Sequence, residues 1–588
     1  MNWDLTKLYK TEEAWESDFE LFKSQIPKYE SYRGKLSEKL KEYLEFDREI
    51  SILGDRVGTY ASLKKHENNA DSLALERNSR LSSLSMEISD KTSWITPELM
   101  AIPDETYKEI ANSPDMAEWQ DGLNKLFRQK KHILSEAEER ILGMSSEAYG
   151  APSQIYDQLT DVDLKFAPII VDGKEVEVTH GSYSSLMQHE DENVRKAVFE
   201  SYYRGYEDHK YSLAETMTSD IKVNVLNTKI RGYSSSLAKS LYGKNVPESV
   251  YENLISAARG ADKTQYFDIK GNKPWNFRVP LAKDFKRKTS FEDAKELVLK
   301  ALAPLGDDYV NKLRDGFNNG WCSQFPAKGK SSGAFSMRGY KTPPYILMNY
   351  NEDVPGDIFT LAHEAGHSMH NLLTTENQEY QNIGYSIFLA EIASTFNECL
   401  LTDYLVKNSS PEESAFWAAK QAEDIQGTFF RQTMFAEFEK KTHECAESGK
   451  PLTLDTMTGM YKDLLGAYLP NVEIGEHLPH EYLRIPHFFN SFYVYQYATG
   501  ISAAIQMSQR VINGEGPKFV LDFLKSGGVG FPIDTLKKAG VDLTTKEAFQ
   551  PTIDLFNKRL SEFTELNTEL KIPVMSAISD MADINKVI

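Results

Sequence analysis

Along the first 110 residues, apolar positions recur at helical intervals. In "EEAWESDFELFKSQIPKYESY", Trp15, Phe19, Phe22 and Ile26 fall three or four residues apart with Lys and Glu between them, the pattern of a helix with one buried face. Pro27 punctuates this run. A second helix is predicted from Ser72 to Trp94, "TPELMAIPDE" closes the section, and another helix follows over 134–145. The period then changes. "APIIV" and "VEVT" flank Asp172-Gly173, which predicts a β-hairpin. Helical spacing resumes at "ENVRKAVFESYYRGYEDHKYSL" and holds to the C-terminus with one exception near 333–350. There "PPYILMNY" alternates as a strand, with Tyr345, Leu347 and Asn349 on one side and Ile346, Met348 and Tyr350 on the other. "SGGVGFP" at 526–532 does not follow a strand and reads as a turn, not a phosphate loop. No repeat of fixed period is present. The pattern predicts a mostly α fold.

Composition narrows the classes. Of 588 residues, 40% are hydrophobic and 26% charged, ordinary for a soluble globular chain. No apolar run approaches the roughly 18–20 residues of a membrane helix, and "MNWDLTKLYKTEEAWES" lacks the apolar core of a signal peptide. The three cysteines, Cys322, Cys399 and Cys445, are odd in number and far apart. They imply a reducing compartment, and the expected location is the cytoplasm. A net charge of −20 serves solubility and argues against nucleic-acid or anionic-membrane partners.

The chemistry concentrates in "TLAHEAGHSMHNLL", Thr360 to Leu373. His363-Glu364-Ala365-Gly366-His367 is an H-E-x-x-H motif. Residues four apart share a helix face, so two imidazoles reach one zinc ion. The glutamate beside the first histidine then faces a metal-activated water as general base. His370 shares the face but lies about 4–5 Å further along the axis, too far to be a ligand. It is a substrate or supporting contact, or a structural histidine. A catalytic zinc needs a third protein ligand. Leu373 stands where an extended motif would place a third histidine, and Glu376 and Glu379 come before the chain has left the helix. The next helical stretch, "GYSIFLAEIASTFNECLLTDYL", offers Glu391 and Glu398 two turns apart on one face. Glu391 is the expected ligand, and Glu398 the group that accepts a hydrogen bond from a ligand imidazole.

These residues resemble the oligoendopeptidase F branch of the thimet-oligopeptidase zinc metallopeptidases. "FTLAHEAGHSMH" and "FLAEIASTFNE" carry the resemblance. So do "KGKSSGAFSMRGYKTPPYILMNYNEDVPGDIF" at 328–359, "RIPHFFNSFYVYQYATGISAA" at 484–504 and "LKSGG…PIDTLKKAGVDL" at 524–543. It covers roughly 140–565. It implies a two-lobed helical metallopeptidase with a small sheet beside the zinc helix, a deep substrate groove or channel, and cleavage of short peptides rather than folded proteins. The segmentation expected is a helical lobe at 1–110, a small helical and hairpin subdomain at 111–190 and the catalytic domain at 191–588.

Within that frame, the proline pair before Tyr345 suits an edge strand. An open edge beside the metal would hold extended peptides by backbone hydrogen bonds, making Tyr345, Leu347 and Asn349 substrate-binding; the alternative is a plain core strand. Gly333 either admits a substrate backbone or makes a hairpin turn. Peptide hydrolysis needs a donor to the oxyanion, and the resemblance assigns substrate and oxyanion roles to His487, Tyr493 and Tyr497, the two tyrosines being four apart. His477 and His480 lie in a loop near this segment. The expected protein is a zinc-dependent oligoendopeptidase with one zinc per chain. A peptidyl-dipeptidase or carboxypeptidase, and a non-catalytic peptide-binding protein, are the alternatives.

Overall fold

The structure, a computed structural model, describes residues 3–282 and 287–570. Among these the chain gathers into two compact units. The first draws on Met1–Glu136, Lys286–Leu401 and Met507–Gly540; the second draws on Ala137–Phe285, Thr402–Gln506 and Val541–Ile588. Helices dominate both. The described strands are β1 (Ile169–Val171), β2 (Lys174–Val176), β3 (Cys322–Ser323), β4 (Phe335–Met337) and β5 (Tyr345–Leu347). No described helix is long and apolar enough to cross a membrane.

In the first unit, helices Glu12–Gln25, Leu36–Glu67 and Ser72–Thr92 pack in sequence. The side chains of Thr11 and Asp71 cap two of them by accepting from backbone N–H groups. Trp15, Phe19, Phe22 and Ile26 are buried as their spacing predicts, and Trp15 Nε1 donates to the Val57 carbonyl at 3.0 Å. Pro27 lies in the 3-10 segment Ile26–Tyr32 that ends the first helix. The 526–532 stretch is a turn. Gly527 and Gly530 take positive φ, and the Gly528 N–H donates to the Asn382 carbonyl at 2.7 Å.

The three-stranded sheet of this unit corrects one expectation. Its order is β3-β5-β4, with β3 parallel and β4 antiparallel to β5. The strand containing Tyr345 and Leu347 is therefore central, not an edge. Both side chains are buried, at 1% and 0% exposure, and they belong to the apolar cluster of Trp3, Trp15 and Phe19. The Tyr345 hydroxyl donates to the Asp4 carbonyl at 3.2 Å. Neither residue has a backbone flank to offer a peptide. The prolines misdirect because Pro343 and Pro344 precede the strand, so their missing N–H groups fall outside the ladder. Asn349 Nδ2 donates to the carbonyls of Ser331 and Gly333 at 2.9 and 2.8 Å, which ties down the loop between β3 and β4. Gly333 itself, with φ 78° and open space around its α-carbon, makes a turn.

In the second unit, β1 and β2 form the expected hairpin, Ile169 opposite Val176. Asp172 and Gly173 have φ of 51° and 75°, as a two-residue type I′ turn requires. A single π-helical turn, Gln426–Phe430, joins helices Pro411–Ile425 and Arg431–Glu447. Helix Gln550–Leu570 lies along Pro411–Ile425, where the buried Arg559 donates through Nε to Gln421 Oε1 at 2.6 Å.

Candidate metal centre

Two helices of the first unit build the site. Asp357–Asn377 carries His363, Glu364 and His367, and Ile387–Asn408 carries Glu391 and Glu398. Gly366 sets their separation: a Cβ there would stand 2.6 Å from the carbonyl oxygen of Ala393, so the backbones meet only because the side chain is absent. Asn397 Nδ2 crosses the same contact to donate to the Ala362 carbonyl at 3.1 Å.

The three expected ligands converge. His363 Nε2 and His367 Nε2 lie 3.1 Å apart, and Glu391 Oε2 is 3.5 Å from the first and 3.8 Å from the second. Among the described residues, these three form a group able to hold a metal ion, with all their donor atoms within 4.8 Å of one another. A tetrahedral zinc with bonds of about 2.1 Å separates its ligand atoms by about 3.4 Å; the observed triangle brackets that value. The tautomer fits as well. His363 Nδ1 lies 2.5 Å from Glu398 Oε1, so Nδ1–H donates to the carboxylate and the Nε2 lone pair is left facing the ligand triangle. Ser394 Oγ donates to Glu391 Oε2 at 3.3 Å. The donor set therefore fits a divalent cation.

Electrostatics agree with that chemistry. Glu364 is 6% exposed, and burial, reinforced by the charges of Glu391 and Glu398, lifts its pKa to about 7. Burial and the neighbouring His363 push His367 down to about 3. Burial also lowers His363, but the hydrogen bond and charge of Glu398 outweigh it and the net shift is upward. A cation among the three donors would favour a neutral His363 alongside the already neutral His367, and an ionised Glu364.

His370 is not part of the ligand triangle. Its ring stacks on Tyr385 at 3.8 Å and 10° and packs against Phe523, and burial holds its pKa near about 3. Its Nδ1 is buried without a hydrogen-bond partner. Three groups around the site were not legible beforehand. Ser336 Oγ on β4 lies 2.8 Å from Ser368 Oγ on the histidine helix. Arg338 Nε donates to Asn371 Oδ1 at 3.1 Å, and Ser394 Oγ donates to the Glu391 carbonyl at 3.0 Å with the Glu391 carboxylate 3.3 Å away. The first two bind β4, an outer strand of the sheet, along the histidine helix. Their only sequence signal is proximity to the strand and the motif.

His487, Tyr493 and Tyr497 belong to the second unit. Tyr497 lies on helix Tyr495–Ile512 and Tyr493 just before it. The two rings meet edge to face at 5.3 Å, and His487 lies 6.2 Å from Tyr497. Phe492 has φ 59°, a strained conformation for a bulky residue. Its N–H donates to the buried Glu439 at 2.8 Å. His477 and His480 both contact the Glu207 carboxylate, at 3.0 and 2.9 Å.

Comparison with known proteins places this arrangement. A profile of peptidase family M3 matches residues 185–555, and one of oligopeptidase F matches residues 98–166. The chain belongs to peptidase family M3, a family of metallopeptidases. Oligopeptidase PepF of Bacillus subtilis is 34% identical over 97% of this chain and 88% of its own length. An oligoendopeptidase F homolog of Borreliella burgdorferi is 35% identical over 96% and 98%. A crystal structure of a protein from Chlamydophila abortus superposes with a TM-score of 0.91 at 32% identity, covering 96% of this chain and 98% of that one. Within the family the chain falls with the oligoendopeptidase F proteins; it is a metallo-oligoendopeptidase.

Proposed function

We propose that the protein holds one zinc ion per chain through His363, His367 and Glu391 and hydrolyses internal bonds of short peptides in the cytoplasm. The observation that carries the ligand set is the triangle of donor atoms at 3.1, 3.5 and 3.8 Å. The cytoplasmic location rests on the cysteine pattern. Bound there, zinc supplies Lewis acidity to a water molecule and to the scissile carbonyl. Glu364 takes the proton from that water and delivers it to the leaving amine nitrogen. Glu398 holds the Nδ1 proton of His363 and keeps the ring facing its ligand position. His487, Tyr493 and Tyr497 act as substrate and oxyanion donors, supported by the likeness of 484–504 to the family's tyrosine-rich segment. The extended substrate pairs with β4, the outer strand tied to the histidine helix, in place of the Tyr345–Leu347 strand that the sequence read as an edge.

Metal analysis by mass spectrometry, coupled to hydrolysis of a quenched fluorescent oligopeptide, tests this reading. One zinc per chain is expected, with activity lost to a chelator and restored by zinc. Glu364→Gln should retain the metal while turnover falls by about 10²–10⁴-fold, the range of a lost general base. A Glu364→Gln protein that cleaves at the wild-type rate would refute the assignment.

A further inference from the structure

The second unit contains a cavity of about 290 Å³, the lower end of the size of ligand clefts, roughly 300 Å³ upward. Its walls are aromatic, with Tyr183, Tyr203, Tyr266, Phe267, Phe430 and Tyr468 among them. The charges are unbalanced. Arg278, Arg431 and Arg484 line it, against only two carboxylates, Glu423 and Glu481. Glu423 is already paired with the buried Lys270. That leaves Glu481, 3% exposed, to serve two guanidiniums: Nη2 of Arg431 and Nη2 of Arg484 each donate to its Oε1 at 2.7 Å. Its other oxygen accepts from the Tyr461 hydroxyl at 2.7 Å. Burial raises the Glu481 pKa, but the two arginines outweigh it and hold the group well below the usual carboxylate range.

Two further features distinguish this cavity from packing space. Arg484 Nε and Gln426 Oε1, both on lining residues, are buried without hydrogen-bond partners, a costly state unless something supplies them. The wall also includes the π-helical turn Gln426–Phe430, a distortion found frequently at functional sites. Surplus guanidinium in a chain of net charge −20 calls for an anion, and a planar fork suits a carboxylate. The aromatic walls call for an apolar body attached to it.

We propose that this cavity binds the free carboxylate of an aromatic or large apolar C-terminal residue, with Arg431 and Arg484 on the carboxylate and the aromatic walls around the side chain. The choice of a peptide or amino-acid ligand rests on the peptidase reading. Binding itself requires neither metal nor turnover, so the two readings fail separately.

Calorimetric titration of N-acetylphenylalanine into the full-length protein, with N-acetylphenylalaninamide as control, tests it. The acid should bind about tenfold or more tighter than the amide. Arg431→Leu leaves Arg484 and Glu481 as a balanced pair, so the protein should keep its melting temperature while the preference for the acid falls. Equal binding of acid and amide, no binding of either, or an unchanged preference in a folded Arg431→Leu protein would overturn the proposal. If Arg431→Leu does not fold, the acid-to-amide ratio on the unmodified protein decides. The source of the carboxylate follows from kinetics. If the acid raises KM for an oligopeptide with a free C-terminus and not for its amidated form, the site holds the substrate's end. If the acid binds with its preference intact and moves neither KM, the site takes the same carboxylate from a free amino acid or released product.

Discussion

At the scale of single residues, the candidate metal centre is a chain of constraints running outward from the proposed ligand atoms. His363 faces the triangle because Glu398 holds its Nδ1, and Glu391 is steadied by Ser394. Glu398→Ala should leave the fold intact and lower metal affinity by about 10–100-fold, the usual cost of losing such an orienting partner. Titration against a chromophoric chelator measures this directly, and an unchanged affinity would remove Glu398 from the site. The core of this arrangement was legible in the sequence. A spacing of four fixes His363 and His367 on one face, and a spacing of seven on the next helix picks out Glu391 and Glu398. Ser394 was not legible, because a serine three residues beyond a glutamate is common and gains meaning only once that glutamate is seen beside His363 and His367. His370 was ambiguous for a similar reason: its stacking partner Tyr385 lies in a different segment.

At the scale of elements, the site depends on how closely two helices approach. Alanine is intrinsically better than glycine inside a helix by about 1 kcal/mol, so Gly366→Ala would stabilise an isolated segment. Here the added methyl meets the Ala393 backbone at 2.6 Å, and overpacking of this kind costs about 1–3 kcal/mol. Glu391 is carried away with its helix as the backbones part. Gly366→Ala should therefore lower both the melting temperature and the metal affinity, although it replaces no ligand. Calorimetry with and without added zinc separates the two effects, and a stabilised variant with full zinc affinity would contradict the close contact. Strand order is the element-scale feature that the chain pattern did not carry. The alternation of "PPYILMNY" reports a strand and its faces, but which strands flank it depends on β3 and β4. Those elements have two and three residues, too short for any periodicity to register. The helices of the first 110 residues and the 169–176 hairpin were legible because their signals are local.

At the scale of the whole molecule, each compact unit is assembled from three separated stretches of chain, and pattern read along the chain has no means of expressing that. One of these stretches bears on the metal centre. Helix Lys518–Lys525, from the last segment of the first unit, packs on helix Asp357–Asn377. There Thr374 Oγ1 donates to the Leu524 carbonyl at 3.0 Å, and Phe523 lies against His370. A chain ending at Gln506 should consequently fail to give a cooperative thermal transition monitored by circular dichroism, although it retains every proposed ligand. Because that fragment lacks the third segment of each unit, a sharp transition in it would show that folding does not wait for those segments. The same connectivity sets an order of events during synthesis. At about 5–20 residues per second, the ribosome releases the proposed metal ligands many seconds before the segment that covers the back of their helix. Until Met507–Gly540 emerges, a nascent chain bears its histidines on a helix with one apolar side uncovered. Stable capture of an ion at the proposed ligands would therefore follow synthesis of Met507–Gly540, and in the interval before it the growing polypeptide needs shielding from its neighbours.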